Sequence, residues 1–263
     1  MLVKLLKHEF RSTGRIMWPL YLVLLALSFF TNLSVRQLED AESKILNILG
    51  GIVIAAFSVA LVAVCVMSVV LMVYRFRTNL MNAEGYLMFT LPVSVHQLIW
   101  SKIIVSVVWF AVSALAVILS GMIAVFRVEY ISDFLSLINL LFVQMTAYYA
   151  INGAALLAEA LVFLFFICAA VCLHFYASIA VGHSFTSHKR LLSVAFFFVF
   201  MFAVQLIISV VAAGLDGLNV SWNLKPVAAV YAAMGLGIVC ALVYGAAFYA
   251  ITAFTLKKRL NLE

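Results

Sequence analysis

A few side chains in this 263-residue chain have types and spacing that could do chemistry. Cys168, Cys172 and His174 are spaced like weak ligands of a metal ion, but they lie in one apolar helical stretch. Cysteines in that setting are small packing residues, so we predict no metal site. His183 and His188 flank a short basic turn, and histidines in such a turn are typically solvated.

Glu159 is the one acidic residue that breaks the apolar stretch at residues 134–188. A carboxylate within a bilayer is costly, so it binds a cationic substrate, relays a proton or pairs with a polar neighbour. It lies about 9 Å along the helix from Gly153, where a break in the sequence predicts the outer end of a span. We favour structural pairing or snorkelling, and a transport role stays open as the alternative.

The chain lacks the residues that bind and hydrolyse ATP. A P-loop needs the pattern G-x-x-x-x-G-K-[ST], and no glycine in this sequence is followed by lysine. Candidate Ser/His/Asp and paired-carboxylate sets fall on opposite sides of the membrane in the topology that the charges favour. We therefore predict no catalytic residue and no cofactor in this chain, and no enzymatic activity of its own.

The composition places these side chains in a membrane protein. Hydrophobic residues make up 67% of the chain and charged residues 10%, against roughly 45–50% and roughly 25% in soluble domains. So few charges would not cover the surface of a soluble protein of this size. This excludes a soluble enzyme, a disordered chain and a nucleic-acid-binding module.

Apolar runs of about 20 residues or more define the elements that position these side chains. They predict an all-α protein with a single transmembrane domain over residues 1–263. The six spans are expected at about 16–33, 46–74, 103–126, 154–181, 191–213 and 229–254. Apolar residues at helical spacing between 131 and 145 predict a further helix that lies in the outer interface.

The basic residues sort by side and so predict the orientation. With both termini in the cytoplasm, 12 of the 16 Lys and Arg residues lie inside and 4 lie outside. A seventh span would move the basic C-terminal cluster outside, so the positive-inside rule favours six. The inner residues are Lys4, Lys7, Arg11, Arg15, Arg75, Arg77, Lys102, Lys189, Arg190, Lys257, Lys258 and Arg259, and the outer ones are Arg36, Lys44, Arg127 and Lys225.

The N-terminal segment alternates apolar and charged residues. Leu2, Leu5, Leu6 and Phe10 recur at helical spacing among lysines, a glutamate and arginines. This pattern predicts a short amphipathic helix on the inner surface, with its lysines facing anionic lipid. A flexible basic flank is the alternative.

The loop at residues 75–102 keeps an apolar cluster, residues 86–91, in or near water. Glu84-Gly85 predicts a turn before a short helix, Pro92 ends that helix, and Ser94 can cap the next one. Exposed apolar clusters of this kind mark docking surfaces, so we favour docking of a cytoplasmic partner. The alternative is an interfacial helix that touches only lipid.

The sixth span has a small residue at every fourth position. Such a stripe lets two helices approach closely, either as a seam inside the chain or as part of a subunit interface. We favour the internal helix-packing seam. The members of the stripe are Ala233, Gly237, Ala241 and Gly245.

The cytoplasmic loop and the N-terminus together resemble one protein family. The loop reads EGYLMFTLPVS from residue 84, followed by QLI and SK, and the N-terminus reads LLKHEFR from residue 5. With the six-span plan, these segments resemble the small bacterial ABC exporter permeases of the type-2 class. The resemblance covers the whole chain loosely, and residues 84–92 are its specific part.

The resemblance implies that this loop carries a coupling helix, which sits in a cleft of a separate ATPase subunit. The N-terminal helix would be an elbow helix beside that ATPase, with Glu9, Phe10 and Arg11 near it. ATP and magnesium would then bind in the partner. The implied docking residues are Glu84, Gly85, Tyr86, Leu87, Met88, Phe89, Thr90, Leu91 and Pro92.

The function implied by the resemblance is that of the membrane-spanning permease subunit of an ATP-binding-cassette exporter in a bacterial cytoplasmic membrane. Its expected partners are the ATPase, a second permease subunit of the same or homologous sequence, and membrane lipids, with no nucleic acid. Hydrophobic or amphipathic substrates such as peptide antibiotics, drugs or lipids are implied, with resistance as the outcome. The alternatives are a proton-driven secondary transporter, which would need an internal repeat of spans, and a non-transport membrane scaffold.

Overall fold

Every regular element in the described part of the chain is a helix. The structure is a computed structural model that describes residues 2–40, 44–81, 93–125, 132, 135–137, 139–140, 143–144, 152–185, 187–217 and 226–258. Six long helices are present, and each is long and apolar enough to cross a membrane. This confirms the predicted all-α architecture with six candidate spans. The helices are α1 (Leu2–Asp40), α2 (Lys44–Met81), α3 (Val95–Val125), α4 (Gly153–Gly182), α5 (Lys189–Gly217) and α6 (Pro226–Lys258).

The helices extend beyond the apolar runs that predicted them. A backbone in hydrocarbon must satisfy its own N–H and C=O groups, and a helix does this within one segment. α2 has 38 residues, whereas a bilayer requires about 20. Part of the excess lies beyond Tyr74, where α2 continues through Arg75 and Arg77 to Met81. α3 likewise begins at Val95, eight residues before its charge-free run.

Two predicted short helices fall wholly or largely outside the described residues. The predicted coupling helix, residues 84–92, lies entirely outside them. Within the predicted interfacial helix, the described positions 132, 135–137, 139–140 and 143–144 are all helical. Leu135, Leu137 and Leu140 there are more than half exposed, as apolar residues that face lipid would be.

The N-terminal segment and the first span form one helix. Residues 2–15 are helical, as their spacing predicts, and continue without a break through Pro19 to Asp40. Proline lacks an N–H, so one backbone hydrogen bond of α1 is missing at Pro19. The position of this segment as an elbow on the inner surface stays a prediction.

The helices group into two compact units that do not follow chain order. The first unit comprises Met1–Tyr74 with Ile104–Leu140, and the second comprises Arg75–Ile103 with Leu141–Glu263. α2 therefore passes from the first unit to the second after Tyr74, and α3 passes back after Ile103. The prediction of a single transmembrane domain stays a prediction.

The first unit has an apolar core shared by α1, α2 and α3. Met17 and Leu24 of α1, Val64 of α2 and Trp109 of α3 are buried in it. Two buried hydrogen bonds join α1 to α3 there: the Trp109 indole Nε1 donates to Thr13 Oγ1 at 2.7 Å, and the Tyr21 and Ser113 hydroxyls lie 2.7 Å apart. Lipid is as apolar as the core, so hydrophobic packing alone does not fix how the helices align. Hydrogen bonds between helices help to fix their alignment.

The second unit brings α4 against both α5 and α6. The tightest approach is at the α4–α5 turn, where Gly182 meets Ser193. A Cβ at Gly182 would lie 2.5 Å from the Ser193 Cα and would also collide with its Oγ. Only glycine fits this position, because the obstructing atoms include backbone that cannot rotate away.

Gly182→Ala should destabilise the second unit, since overpacking a tight site costs about 1–3 kcal/mol. Gly121→Ala is the matched control, because a Cβ at Gly121 in α3 has nothing within 4 Å. That substitution should raise stability by about 0.5–1 kcal/mol, as alanine for glycine does in a helix. Unfolding of the purified chain in mixed micelles measures both, and equal effects of the two substitutions would refute the close approach.

Candidate functional site

The helix ends that flank the predicted coupling loop are well defined. We name them the α2 extension (residues 75–81) and the α3 extension (residues 95–103). Ser94 caps the α3 extension, as predicted: its Oγ accepts from the Gln97 N–H at 3.3 Å and its carbonyl accepts at 2.9 Å. A regular helix thus precedes the loop and another follows it.

An aromatic stack ties the α2 extension to α4. The rings of Phe76 and Tyr176 lie 4.1 Å apart and 7° from parallel, and both side chains are fully buried. The Tyr176 hydroxyl donates to the backbone carbonyl of Lys102 at 3.4 Å, which connects the α3 extension to the same tyrosine. One side chain of α4 therefore contacts both helix ends of the loop.

A second group of side chains ties the α3 extension to α6. His96 Nδ1 lies 2.6 Å from the Tyr249 hydroxyl, and the two rings stack at 5.8 Å. The ring of Trp100 lies 6.0 Å from that of Tyr249. His96 Nε2 lies 3.2 Å from the Lys257 ammonium. We call His96, Tyr249 and Lys257 the inner polar cluster.

Sequence reasoning missed these connecting residues. The pairs in the stack and in the inner polar cluster are separated by 74 to 161 positions, so no local spacing brings them together. A weak signal exists for Tyr176 and Tyr249, since tyrosines near the ends of spans are typical of the membrane interface. Their partners could not have been named without the fold.

Both ring nitrogens of His174 make hydrogen bonds within the protein. Its Nε2 donates to the Phe197 carbonyl at 3.2 Å, because a carbonyl can only accept. Its Nδ1 then accepts from the Tyr244 hydroxyl at 2.5 Å. The imidazole cross-links α4, α5 and α6, and no group of three metal-binding side chains meets anywhere among the described residues.

Glu159 lies on the side of α4 that faces α6. A Cβ built at Gly235 of α6 would lie 3.9 Å from Glu159 Oε1, which is ordinary van der Waals contact. The side chain is half-buried, and no hydrogen bond joins it to another described residue. Asn152 begins the same helix, where its Oδ1 accepts from the Ala154 N–H at 3.1 Å, at the break that the sequence predicts.

The small-residue stripe lies along the α4–α6 contact. A Cβ at Gly237 would lie 2.6 Å from the Phe163 ring, and one at Gly245 would lie 3.6 Å from Leu173. Ala241 lines an apolar groove between the same helices, and Ala233 is exposed. Gly237 therefore lets α6 approach α4 closely, whereas a Cβ at Gly245 would make an ordinary contact, and the position of the stripe along α4 favours an internal seam.

The three predicted elbow residues face different surroundings. Glu9 is only 3% exposed, whereas Arg11 is exposed. Phe10 packs against Trp109, with ring centroids 6.3 Å apart. The Glu9 carbonyl accepts from the Thr13 hydroxyl at 2.8 Å, within α1. Of the three, Arg11 is the residue that the structure leaves accessible to a partner.

The turn between α4 and α5 contains a buried histidine, where the sequence predicted a solvated one. His183 is 6% exposed, and its Nδ1 donates to the Ile179 carbonyl at 2.9 Å. Burial lowers the pKa of His183, and the charges of Arg77, Lys189 and Arg190 lower it further against the opposing hydrogen bond. His188 is exposed, as predicted, and has a left-handed backbone with φ 54°.

Comparison with known proteins adds no family to this description. No protein family model, no curated protein and no solved structure matches the chain. The function is therefore argued from the residues of the chain itself.

The buried His183 predicts that acid destabilises the chain. The unfolded chain takes up a proton near pH 6.5, whereas the folded turn disfavours it, so stability falls as the pH drops through 6.5. Thermal unfolding between about pH 7.5 and pH 5.5 measures this loss.

His183→Asn should reduce the loss of melting temperature over this range, since asparagine does not titrate. His188→Asn is the matched control, because this histidine of the same turn is exposed and asparagine tolerates its left-handed backbone. An unchanged pH dependence in His183→Asn would contradict the assignment.

Proposed function

We propose that this chain is the membrane-spanning permease subunit of an ATP-binding-cassette exporter. The single observation that carries the proposal is how the α2 and α3 extensions, which flank residues 82–92, contact α4 and α6. Phe76 stacks on Tyr176 of α4, and His96 bonds Tyr249 of α6. A partner that moved this loop would therefore pull directly on α4 and α6.

The sequence supports a partner at this loop. Residues 86–91 are apolar although the charge distribution places them in the cytoplasm. The chain has no P-loop, so an ATP-driven process requires a separate ATPase. The resemblance of residues 84–92 to the coupling helix of type-2 exporter permeases names the class of that partner.

In the proposed mechanism, closure of two ATPases on ATP displaces the coupling helices of two membrane subunits. The α2 and α3 extensions belong to the same compact unit as α4, α5 and α6, so the displacement reaches these helices first. A change in their tilt would alternate the access of a pathway between the two sides of the membrane. This transfer needs rigid connections, and fully buried aromatic rings provide them.

The proposed substrates are hydrophobic or amphipathic molecules, among them peptide antibiotics, drugs and lipids, at the bacterial cytoplasmic membrane. This class comes from the family resemblance, and the aromatic content of 14% is compatible with it. The proton-driven alternative would rely on Glu159, and the scaffold alternative would need no energy source. Co-purification of an ATPase with the chain would distinguish the exporter proposal from the proton-driven and scaffold alternatives.

Leu87→Asp with Phe89→Asp should abolish binding of the ATPase. Two carboxylates placed in an apolar contact remove its anchors, each worth about 2 kcal/mol or more, so recovery should fall well over tenfold. The chain is purified in mild detergent from cells that express its neighbouring genes, and the P-loop ATPase in the eluate is quantified by mass spectrometry and ATP hydrolysis.

Leu135→Asp with Leu137→Asp is the matched control, because these exposed leucines lie on the predicted outer side. This variant should retain the ATPase fully. If the loop variant retains the ATPase as well, the coupling assignment is wrong. If no ATPase accompanies the unmodified chain, the exporter proposal itself fails.

Glu159→Gln should leave ATP-dependent resistance within about twofold of the unmodified chain, since the proposed energy source is not a proton on this carboxylate. Resistance of cells to a panel of peptide antibiotics, at matched membrane levels of the protein, measures this. Complete loss of resistance would instead favour the proton-driven alternative or recognition of a cationic substrate by Glu159.

A further inference from the structure

An apolar groove runs between α3, α4 and α6 in the second unit. Its volume is about 270 Å³, and it is open on one side. Phe165, Ala169 and Leu173 line it from α4, and Ala241 and Ala246 line it from α6. From Ala241 to Tyr249 it extends about 12 Å along the helix axis. Its walls carry almost no polar surface, so its occupant there must be hydrocarbon-like.

The groove ends at the inner polar cluster. Trp100 and Tyr249 form this end, and the Tyr249 hydroxyl leads through His96 to the ammonium of Lys257. The ammonium can only donate, so His96 Nε2 accepts and Nδ1 carries the proton to the Tyr249 oxygen. The hydroxyl hydrogen of Tyr249 is then left as a donor. An acceptor at this end would meet a hydroxyl donor and a lysine.

Lys257 is the lysine whose charge is directed to this end. The neighbouring Lys258 places its ammonium over the Phe254 ring instead, 5.3 Å from the centroid. No acidic side chain among the described residues pairs with Lys257, which is exposed. Its positive charge is therefore available to an anion.

The position of the groove relative to the bilayer identifies the occupant. Lys257 and Lys258 lie in the last turn of α6, which the charge distribution places at the inner surface. Trp and Tyr side chains are typical of the headgroup level, and the groove continues from there into the apolar zone. Hydrocarbon along the walls and an anion at the inner end are the two parts of an anionic phospholipid.

We propose that this groove binds one anionic phospholipid of the inner leaflet, with an acyl chain between α4 and α6 and its phosphate at Lys257 and Tyr249. Basic pockets between membrane helices recognise anionic headgroups in this way. Because Tyr249 also holds His96 of the α3 extension, the bound lipid would brace the helix that follows the loop. The site does not depend on the proposed transport function.

Native mass spectrometry of the purified full chain in detergent tests this site. Phosphatidylglycerol and phosphatidylcholine with identical acyl chains are added separately. One phosphatidylglycerol should remain bound at concentrations at which phosphatidylcholine has dissociated. Lys257→Gln should weaken retention of phosphatidylglycerol about fivefold, the loss expected for one lysine at a membrane surface. Lys258→Gln is the matched control and should retain the lipid unchanged.

Two further variants separate the groove from its polar end. Ala246→Trp fills the groove and should reduce retention of both lipids. Tyr249→Phe keeps the ring but removes the hydroxyl that donates to the phosphate, so it should weaken retention of phosphatidylglycerol, and it replaces Lys257→Gln if that variant does not fold. Inorganic phosphate should not displace the lipid at millimolar concentration.

The proposal is overturned if the two lipids bind equally to the unmodified chain, or if Lys258→Gln weakens binding as much as Lys257→Gln. Displacement of the lipid by inorganic phosphate would equally overturn it, because the acyl chain would then contribute nothing. All of these measurements use the chain without an ATPase. Their failure would therefore leave the exporter proposal standing, and failure of ATPase binding would leave the lipid site standing.

Discussion

Helices surrounded by lipid gain little hydrophobic free energy by touching one another, because lipid chains are as apolar as the helix surfaces. The packing of this chain consequently depends on close approach and on hydrogen bonds between helices. Trp109 donates to Thr13 in the first unit, and His174 joins three helices in the second. Gly182 allows the tightest contact. In a chain that is 67% hydrophobic, a few polar side chains and one glycine thus determine how the helices pack.

The division into two units sets the ends of α2 and α3 that flank residues 82–92 apart from the rest of these helices. Their apolar middles pack with α1, whereas their ends pack with α4 and α6 through Tyr176 and Tyr249. The region nearest the proposed ATPase is thus mechanically connected to one half of the molecule.

The sequence was sufficient to predict the long helices but not the contacts between them. Long apolar runs predicted six helices because a helix satisfies its backbone hydrogen bonds within one segment, and Ser94 was recognisable as a cap because capping is local. His183 was predicted to be solvated, yet it is buried, because burial depends on the neighbouring α5. The stack of Phe76 on Tyr176 joins residues 100 positions apart, and no spacing rule reaches that far.

The crossing of the chain between the two units also sets an order of assembly during synthesis. Every segment of the first unit has been made once the ribosome passes residue 140, so that unit can form early. The second unit includes residues 75–103 but is completed only when α6 emerges. Phe76 and Trp100 can pack only after their partners Tyr176 and Tyr249 have been synthesised. The ends of α2 and α3 that flank residues 82–92 are therefore the part of the early-made chain that reaches its final packing last.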